Sequence, residues 1–414
     1  MKKEKTKGGR DKKHGRTAPG NARPSFRETT RSLFMEPVDI SPTGFKPPRI
    51  DDLDLFRGYA VFGFIIYHVV IFLGSEDVVY NSLLGFIAHI IFWPIGGKAL
   101  FQIYIGIYLV YARSTTQTLV RRGLTILAAG YALNLVRFLP IIAGVRRGTL
   151  AMKDFPIYRN IGDMILAVDI FQFAGLAFLA YALIRKLFRG RVKPIHWLYM
   201  ALAVILVTPF LAKLMTGNVY IDRFMEPLWG YSDHVWFPFF PTFCYTLLGA
   251  MFGCMLIKIK SFRNHELSFM ILSTLTFALG ILLTDFFRQP SASIYFKILG
   301  PDFVYDSPEV FIKVMGYTTF QQAIAVCLNL YVSKNIIFRF YRYMSYNITA
   351  IFVWQWIIIG WITGIYFRAF WQQNVTECVV VIAITTVLAI ILTELTKKIG
   401  KGMKNRAPRK ENPA

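Results

Sequence analysis

The chain has 414 residues, 55% of them apolar and 16% aromatic, with a positive mean hydropathy, which is the make-up of a polytopic membrane protein and not of a soluble domain. Its formal net charge of +23 would suit nucleic acid, but 14 of those charges lie in the tails, at residues 1–50 and 396–414. Basic ends on an apolar body fit anionic lipid headgroups and argue against a nucleic-acid partner. The cysteines Cys244, Cys254, Cys327 and Cys378 fall singly inside apolar runs, which reads as packing and indicates no metal site or disulfide framework.

Residues 1–48 are rich in Lys, Arg, Gly, Pro, Ser and Thr. They hold too little apolar surface to offset the entropy of folding and are expected to form a disordered cytoplasmic tail. Pro47 and Pro48 close that tail, and Asp51, Asp52 and Asp54 offer capping oxygens to a helix. The run that follows, Arg49 to Gly74, is the first one long enough to cross a bilayer. It carries Arg57 near its start and His68 deep inside. The 11 residues between them amount to about 1100° of helix, within roughly 20° of three full turns, so both face the same way. An ionisable residue inside a membrane helix points by default into the bundle or a wet cavity and marks a functional site, the alternative being a histidine that only bonds a neighbouring helix.

Leu83 to Ile95 is too short to cross and is broken by Pro94, Gly96 and Gly97, as expected of a half-helix against one leaflet. Spanning runs follow at about 97–113, 122–140, 163–185, 194–215, 235–257, 266–287, 309–333, 344–367 and 376–396. The expected architecture is therefore an all-α integral membrane protein of about ten transmembrane helices in one bundle, spanning 49–396, with a basic tail at 397–414. An even count with both termini cytoplasmic puts the Lys and Arg clusters around Arg121, Lys186, Lys258 and Arg339 on the inner side. The outer loop 141–162 departs from that bias with Arg146, Arg147, Lys153 and Arg159; these mark either a further half-helix or a place for an anion.

The opening R-I-D-D-L-D-L-F-R-G-Y-A, with histidine 11 residues after its second arginine, resembles the membrane acyltransferase superfamily. That superfamily includes the acyltransferase-3 proteins and the heparan-alpha-glucosaminide N-acetyltransferase type. The resemblance continues through A-L-F-Q-I-Y-I-G-I-Y-L-V-Y-A at 99–112, R-R-G-L-T-I-L-A-A-G-Y-A-L-N at 121–134, Ile170-Phe171-Gln172, and F-P-F-F-P-T-F-C-Y-T-L-L-G-A-M-F-G at 237–253. It implies an enzyme of the cell membrane that moves an acyl group, acetyl foremost, from acyl-CoA to a carbohydrate-type acceptor. No tightly bound cofactor is implied, and Arg57 and His68 fall at the family's arginine and catalytic histidine. One departure stands out. Where the family often reads N-S-L-x-x-Y-x-x-H, Asn347 is followed by Ile348, Phe352 and Gln355, so a distal histidine is lost or altered.

Chemistry narrows the candidates further. Histidine suits both removal of a proton from an acceptor and transient acyl carriage. Asp169 is the carboxylate whose expected depth matches that of His68, so the two are expected either to pair or, failing that, to leave Asp169 bonded to Gln172 or a hydroxyl. Arg57, Arg121 and Arg122 are candidates for the phosphates of coenzyme A, since guanidinium binds phosphate bidentately; snorkelling explains Arg121 and Arg122 equally well. Lys98, Gln102 and Trp236 are candidates for the acceptor, with an interfacial aromatic belt as the alternative for Trp236. A transporter that uses the same polar stripe without covalent chemistry is the competing reading, and it would be favoured by inverted repeats, of which the sequence gives no convincing sign.

Overall fold

The computed structural model describes residues 26–43, 51–92, 98–212, 214, 216–230, 232–259, 278 and 335–406. In chain order the described elements are α1 (Phe26–Met35), β1 (Val38–Asp39), α2 (Asp51–Leu73), α3 (Glu76–Asn81), α4 (Leu83–Phe92), α5 (Lys98–Tyr111), α6 (Thr116–Arg146), α7 (Ile161–Leu166), α8 (Ile170–Leu187), β2 (Arg191–Val192), α9 (Pro194–Ala212), α10 (Val219–Trp229), α11 (Phe239–Ile259), α12 (Ile336–Tyr346), α13 (Ile348–Ile362), which runs on into a π-helical turn at Thr363–Phe367, and α14 (Val375–Arg406). Among the described residues, 7 helices are long and apolar enough to cross a membrane, and α5 contributes a shorter apolar helix. The expected spans at 266–287 and 309–333 lie outside the described residues, apart from the single position 278.

Within the segment before Pro47, expected to be a disordered tail, Phe26–Met35 is a helix. Helix α1 packs on α9 and α11, and Lys258 of α11 donates its Nζ protons to the carbonyls of Ser32, Leu33 (3.4 Å) and Glu36 (2.9 Å). A cation at the carbonyl end of a helix answers its dipole and its unpaired acceptors. Strand β1 then pairs antiparallel with β2, Val38 opposite Val192, which ties the segment to the loop between α8 and α9.

Small residues set the helix crossings. A Cβ on Gly106 would lie 1.9 Å from the Thr246 carbonyl and one on Gly249 2.0 Å from that of Ile103, so α5 and α11 touch backbone to backbone. Gly123 and Gly175 do the same for α6 and α8. Without a hydrophobic drive between helices in lipid, this close packing is what holds a bundle together. The glycine of the opening motif belongs to the same class: a Cβ on Gly58 would lie 1.7 Å from the Tyr341 carbonyl of α12. Gly58→Ala is expected to force α2 and α12 apart and cost about 1–3 kcal/mol. Thermal melting in detergent checks this against Gly400→Ala, where nothing lies within 4 Å and no change is expected.

The expected span at 163–185 is broken. α7 ends at Leu166 and α8 starts at Ile170, and the break is chemically sealed. Asn134 of α6 donates Nδ2 to the carbonyls of Ile165 (3.0 Å) and Ala167 (2.7 Å), taking the acceptors α7 leaves open. Asp169 caps α8 by accepting from the Ile170 N–H at 2.7 Å, and Gln172 returns Oε1 to the Asp169 N–H at 3.0 Å. Non-helical backbone at membrane depth is tolerated where protein groups satisfy it in this way. Val168 then pairs with the chain before α11: its N–H reaches the His234 carbonyl and its own carbonyl accepts from the Trp236 N–H, both at 3.0 Å. The break thereby fixes Asp169 and Trp236 side by side.

Candidate active site

His68 sits on α2, the helix that packs against α12, α4, α14 and α13. Around it stand Phe64 (ring centres 5.4 Å apart) and Phe72 (6.4 Å) from its own helix, and Phe352 (6.4 Å) and Trp356 (4.4 Å, tilted 30°) from α13. Phe352, Gln355 and Trp356 share one face of α13 through their i, i+3 and i+4 spacing. Gln355 sets its amide Nε2 3.3 Å from His68 Nδ1. The position at which the opening resemblance lacks a distal histidine therefore still faces His68, with an amide in place of the imidazole.

Behind Trp356 lies a buried cation. Arg137 of α6 is fully buried and pairs with Asp169 at 3.0 Å. Its guanidinium carbon is 4.6 Å from the ring centres of Phe138 and Trp356 and 5.7 Å from that of Trp236, distances at which a cation is drawn to an aromatic face. Trp236 and Trp356 stack at 6.0 Å with only 10° between their planes, and Phe72 contacts both. Arg137 Nε and Nη2 find no acceptor among the described residues. His68, Trp356, Arg137, Asp169 and Trp236 thus form one continuous cluster from five parts of the chain.

The expected pair of His68 and Asp169 is not formed. Asp169 is not inside a span but at the head of α8, where it serves Arg137 and its own helix, and the histidine's hydrogen-bond partner is Gln355. Trp236, a candidate for the acceptor, lies in the cluster against Trp356. Gln102 lies on α5, fully buried, with neither amide atom partnered among the described residues; the side chain of Lys98 lies outside the described residues. Arg57 is engaged by Asp54 (3.1 Å) and by the hydroxyl and carbonyl of Ser345 (3.0 and 3.1 Å), so it ties α2 to α12. Arg121 and Arg122 are exposed on α6, with Arg122 reaching the Tyr108 hydroxyl at 3.4 Å. No hydrogen bond or ion pair among the described residues joins them to Arg57.

A second polar group flanks the cluster. His234 donates Nε2 to Glu226 of α10 at 3.1 Å, and Ser232 donates to the other carboxylate oxygen at 2.9 Å, while Arg223 pairs with the buried Asp163. Burial pushes the Glu226 carboxyl up, but the hydrogen bond and charge of His234, the Ser232 hydroxyl and Arg223 together hold it below the ordinary range. The group locks α10 against α7 and steadies the chain on which Trp236 rides.

No curated protein matches the chain closely. The family described as heparan-alpha-glucosaminide N-acetyltransferase, catalytic, matches at residues 49–296, which takes in His68, Arg137, Asp169 and Trp236 and leaves Gln355 and Trp356 beyond its end. That match covers more than half of the chain. The chain belongs to the heparan-alpha-glucosaminide N-acetyltransferase catalytic family, membrane acetyltransferases.

Proposed function

We propose that the protein transfers an acetyl group from acetyl-CoA to an amine or hydroxyl of a carbohydrate-type acceptor, with His68 as the general base or transient acyl carrier. The observation that carries this reading is the address of His68: an imidazole in the middle of a membrane helix, walled by aromatic rings, with one nitrogen held by Gln355 and the other left for chemistry. In the direct route the acceptor nitrogen or oxygen attacks the thioester carbonyl carbon. The new C–N or C–O bond forms as the C–S bond breaks, and the proton passes to His68 Nε2 and from there to the departing thiolate. In the carrier route Nε2 attacks the thioester carbonyl first and expels coenzyme A as the thiolate; the acceptor then attacks the acetyl-imidazole, the bond to Nε2 breaks, and the acceptor's proton passes to the thiolate. The aromatic walls keep water from competing for the thioester.

Arg121 and Arg122, exposed at one end of α6, suit the phosphates of coenzyme A. Arg57 would join them by keeping one edge of its guanidinium on Ser345 and Asp54. Trp236 supplies an aromatic face for a sugar ring, with Gln102 and Lys98 as further acceptor-side candidates. The expected setting is a multi-pass protein of the cell membrane that meets acyl-CoA on the cytoplasmic side and a glycan on the other.

The test is acetyl transfer by the purified protein in nanodiscs, using acetyl-CoA labelled in the acetyl group and a panel of amino sugars and their N-acetylated, hydroxyl-bearing counterparts. Label recovered in an acceptor, at a rate that saturates with acetyl-CoA, is the expected result. Movement of an intact solute across the bilayer with no label transferred would favour a transporter instead.

A further inference from the structure

Resting on the reading of His68 as base or carrier, we infer that Gln355 is the positioning residue that fixes its tautomer by presenting Oε1, not Nε2, to Nδ1. A neutral imidazole holds its proton on one nitrogen and a lone pair on the other, and the partner of one nitrogen decides which. Nδ1 faces Gln355 at 3.3 Å, so chemistry falls to Nε2. Nε2 can take a proton or an acyl group only if the ring proton sits on Nδ1, and a proton on Nδ1 needs an acceptor.

Gln355 can supply one. Its side chain is buried, 1% exposed, and stands against Nδ1. With Nε2 of the amide toward the ring, Oε1 is buried with no hydrogen-bond partner among the described residues. The two ends of an amide are nearly the same size, and half a turn about the terminal bond exchanges them without moving a neighbour. After the exchange Oε1 accepts the Nδ1–H and the lone pair of His68 Nε2 is free. The same contact persists when Nε2 takes the acceptor's proton, because the imidazolium keeps its Nδ1–H. Asp169, the carboxylate that would ordinarily do this for a catalytic histidine, is committed to Arg137. An amide also adds no charge to a buried site and cannot itself accept the proton.

The experiment reads the tautomer directly. Protein labelled with 15N at histidine is placed in nanodiscs, and the His68 signals are identified by their loss in His68→Ala. Wild type is expected to carry its proton on Nδ1, and Gln355→Met, which conserves volume but removes the acceptor, is expected to lose that preference. In acetyl transfer, Gln355→Met should lower kcat by about 10- to 100-fold with little change in KM, as for the outer partner of a functional histidine. Gln355→Glu, which keeps an acceptor oxygen, should recover most of the loss. A wild-type proton on Nε2, or an unchanged tautomer in Gln355→Met, overturns the assignment. Spectra of the expected kind support it even where no acceptor is acetylated, an outcome that would count instead against the acyltransferase reading.

Discussion

An Asp169→Ala variant is expected to melt far below wild type, with a loss of about 3–5 kcal/mol from stranding the Arg137 charge and about 1 kcal/mol more from uncapping α8. Arg137 is fully buried, and its hydrogen bond to Asp169 is the one that any of its three nitrogens makes among the described residues. Removing the carboxylate therefore leaves a guanidinium with aromatic faces as its remaining compensation, worth about 2 kcal/mol or more when desolvated and short of what an unpaired buried charge costs. Against a total stability of about 5–15 kcal/mol, such a loss is a large share of the whole. Asp169→Asn should fall between, since the amide oxygen can still cap α8 while the charge is gone. The informative variant is the double one. Arg137→Met with Asp169→Asn removes both charges, and because a buried pair repays little beyond its own desolvation, it should be more stable than either single change. Melting curves of the four proteins in one detergent decide the matter. A double variant no better than the singles would show that the pair does more than neutralise itself.

What was legible in the sequence followed from length and hydropathy. The first span was expected at 49–74 and is a helix at Asp51–Leu73; α9 begins where its run begins, at Pro194. Run length also hid things. Residues 163–185 read as one apolar span, and nothing in hydropathy distinguishes a continuous helix from α7 and α8 joined at a sealed break, because the seal comes from Asn134, 33 residues away from one of the carbonyls it serves. Arg137 obeys the same rule that singles out His68. It is an ionisable residue inside an apolar run, at i+3 from Asn134 and so on the same helical face. Both point to the break, and that pair was the signal available.

The partners of the site were less legible than its members. Asp54, expected as a capping oxygen, turns to Arg57, and Asp169, expected either beside His68 or on Gln172 or a hydroxyl, joins Gln172 in a capping box and pairs with Arg137. A depth argument along two helices places residues at the same level of the bilayer but says nothing of rotation about the bundle. Gln355 shows the reverse case. It was noticed as a departure from a family pattern, and the fold gives that departure meaning by setting it against His68 from 287 positions away.

His68→Ala is expected to leave the bundle folded and to lower acetyl transfer by about 10² to 10⁴, the range for removing a general base. The fold should survive because the ring is an interior but only partly buried side chain whose hydrogen bond to Gln355, at 3.3 Å, is long, and because α2 is held elsewhere by Gly58 against α12 and by Arg57 with Ser345. Its packing on Trp356 will be lost, at a cost expected to be a small part of the whole. The two chemical roles separate in the residual activity. If His68 only removes a proton, an acceptor amine presented at high pH, already deprotonated, should regain much of the lost rate in the alanine variant. If His68 carries the acyl group, the variant should stay inactive at every pH, and wild type mixed with labelled acetyl-CoA in the absence of acceptor should hold label on the protein that His68→Ala does not. Full transfer activity in His68→Ala would remove the first helix from the chemistry and leave Arg137, with its two unengaged donor nitrogens among the described residues, as the next group to test.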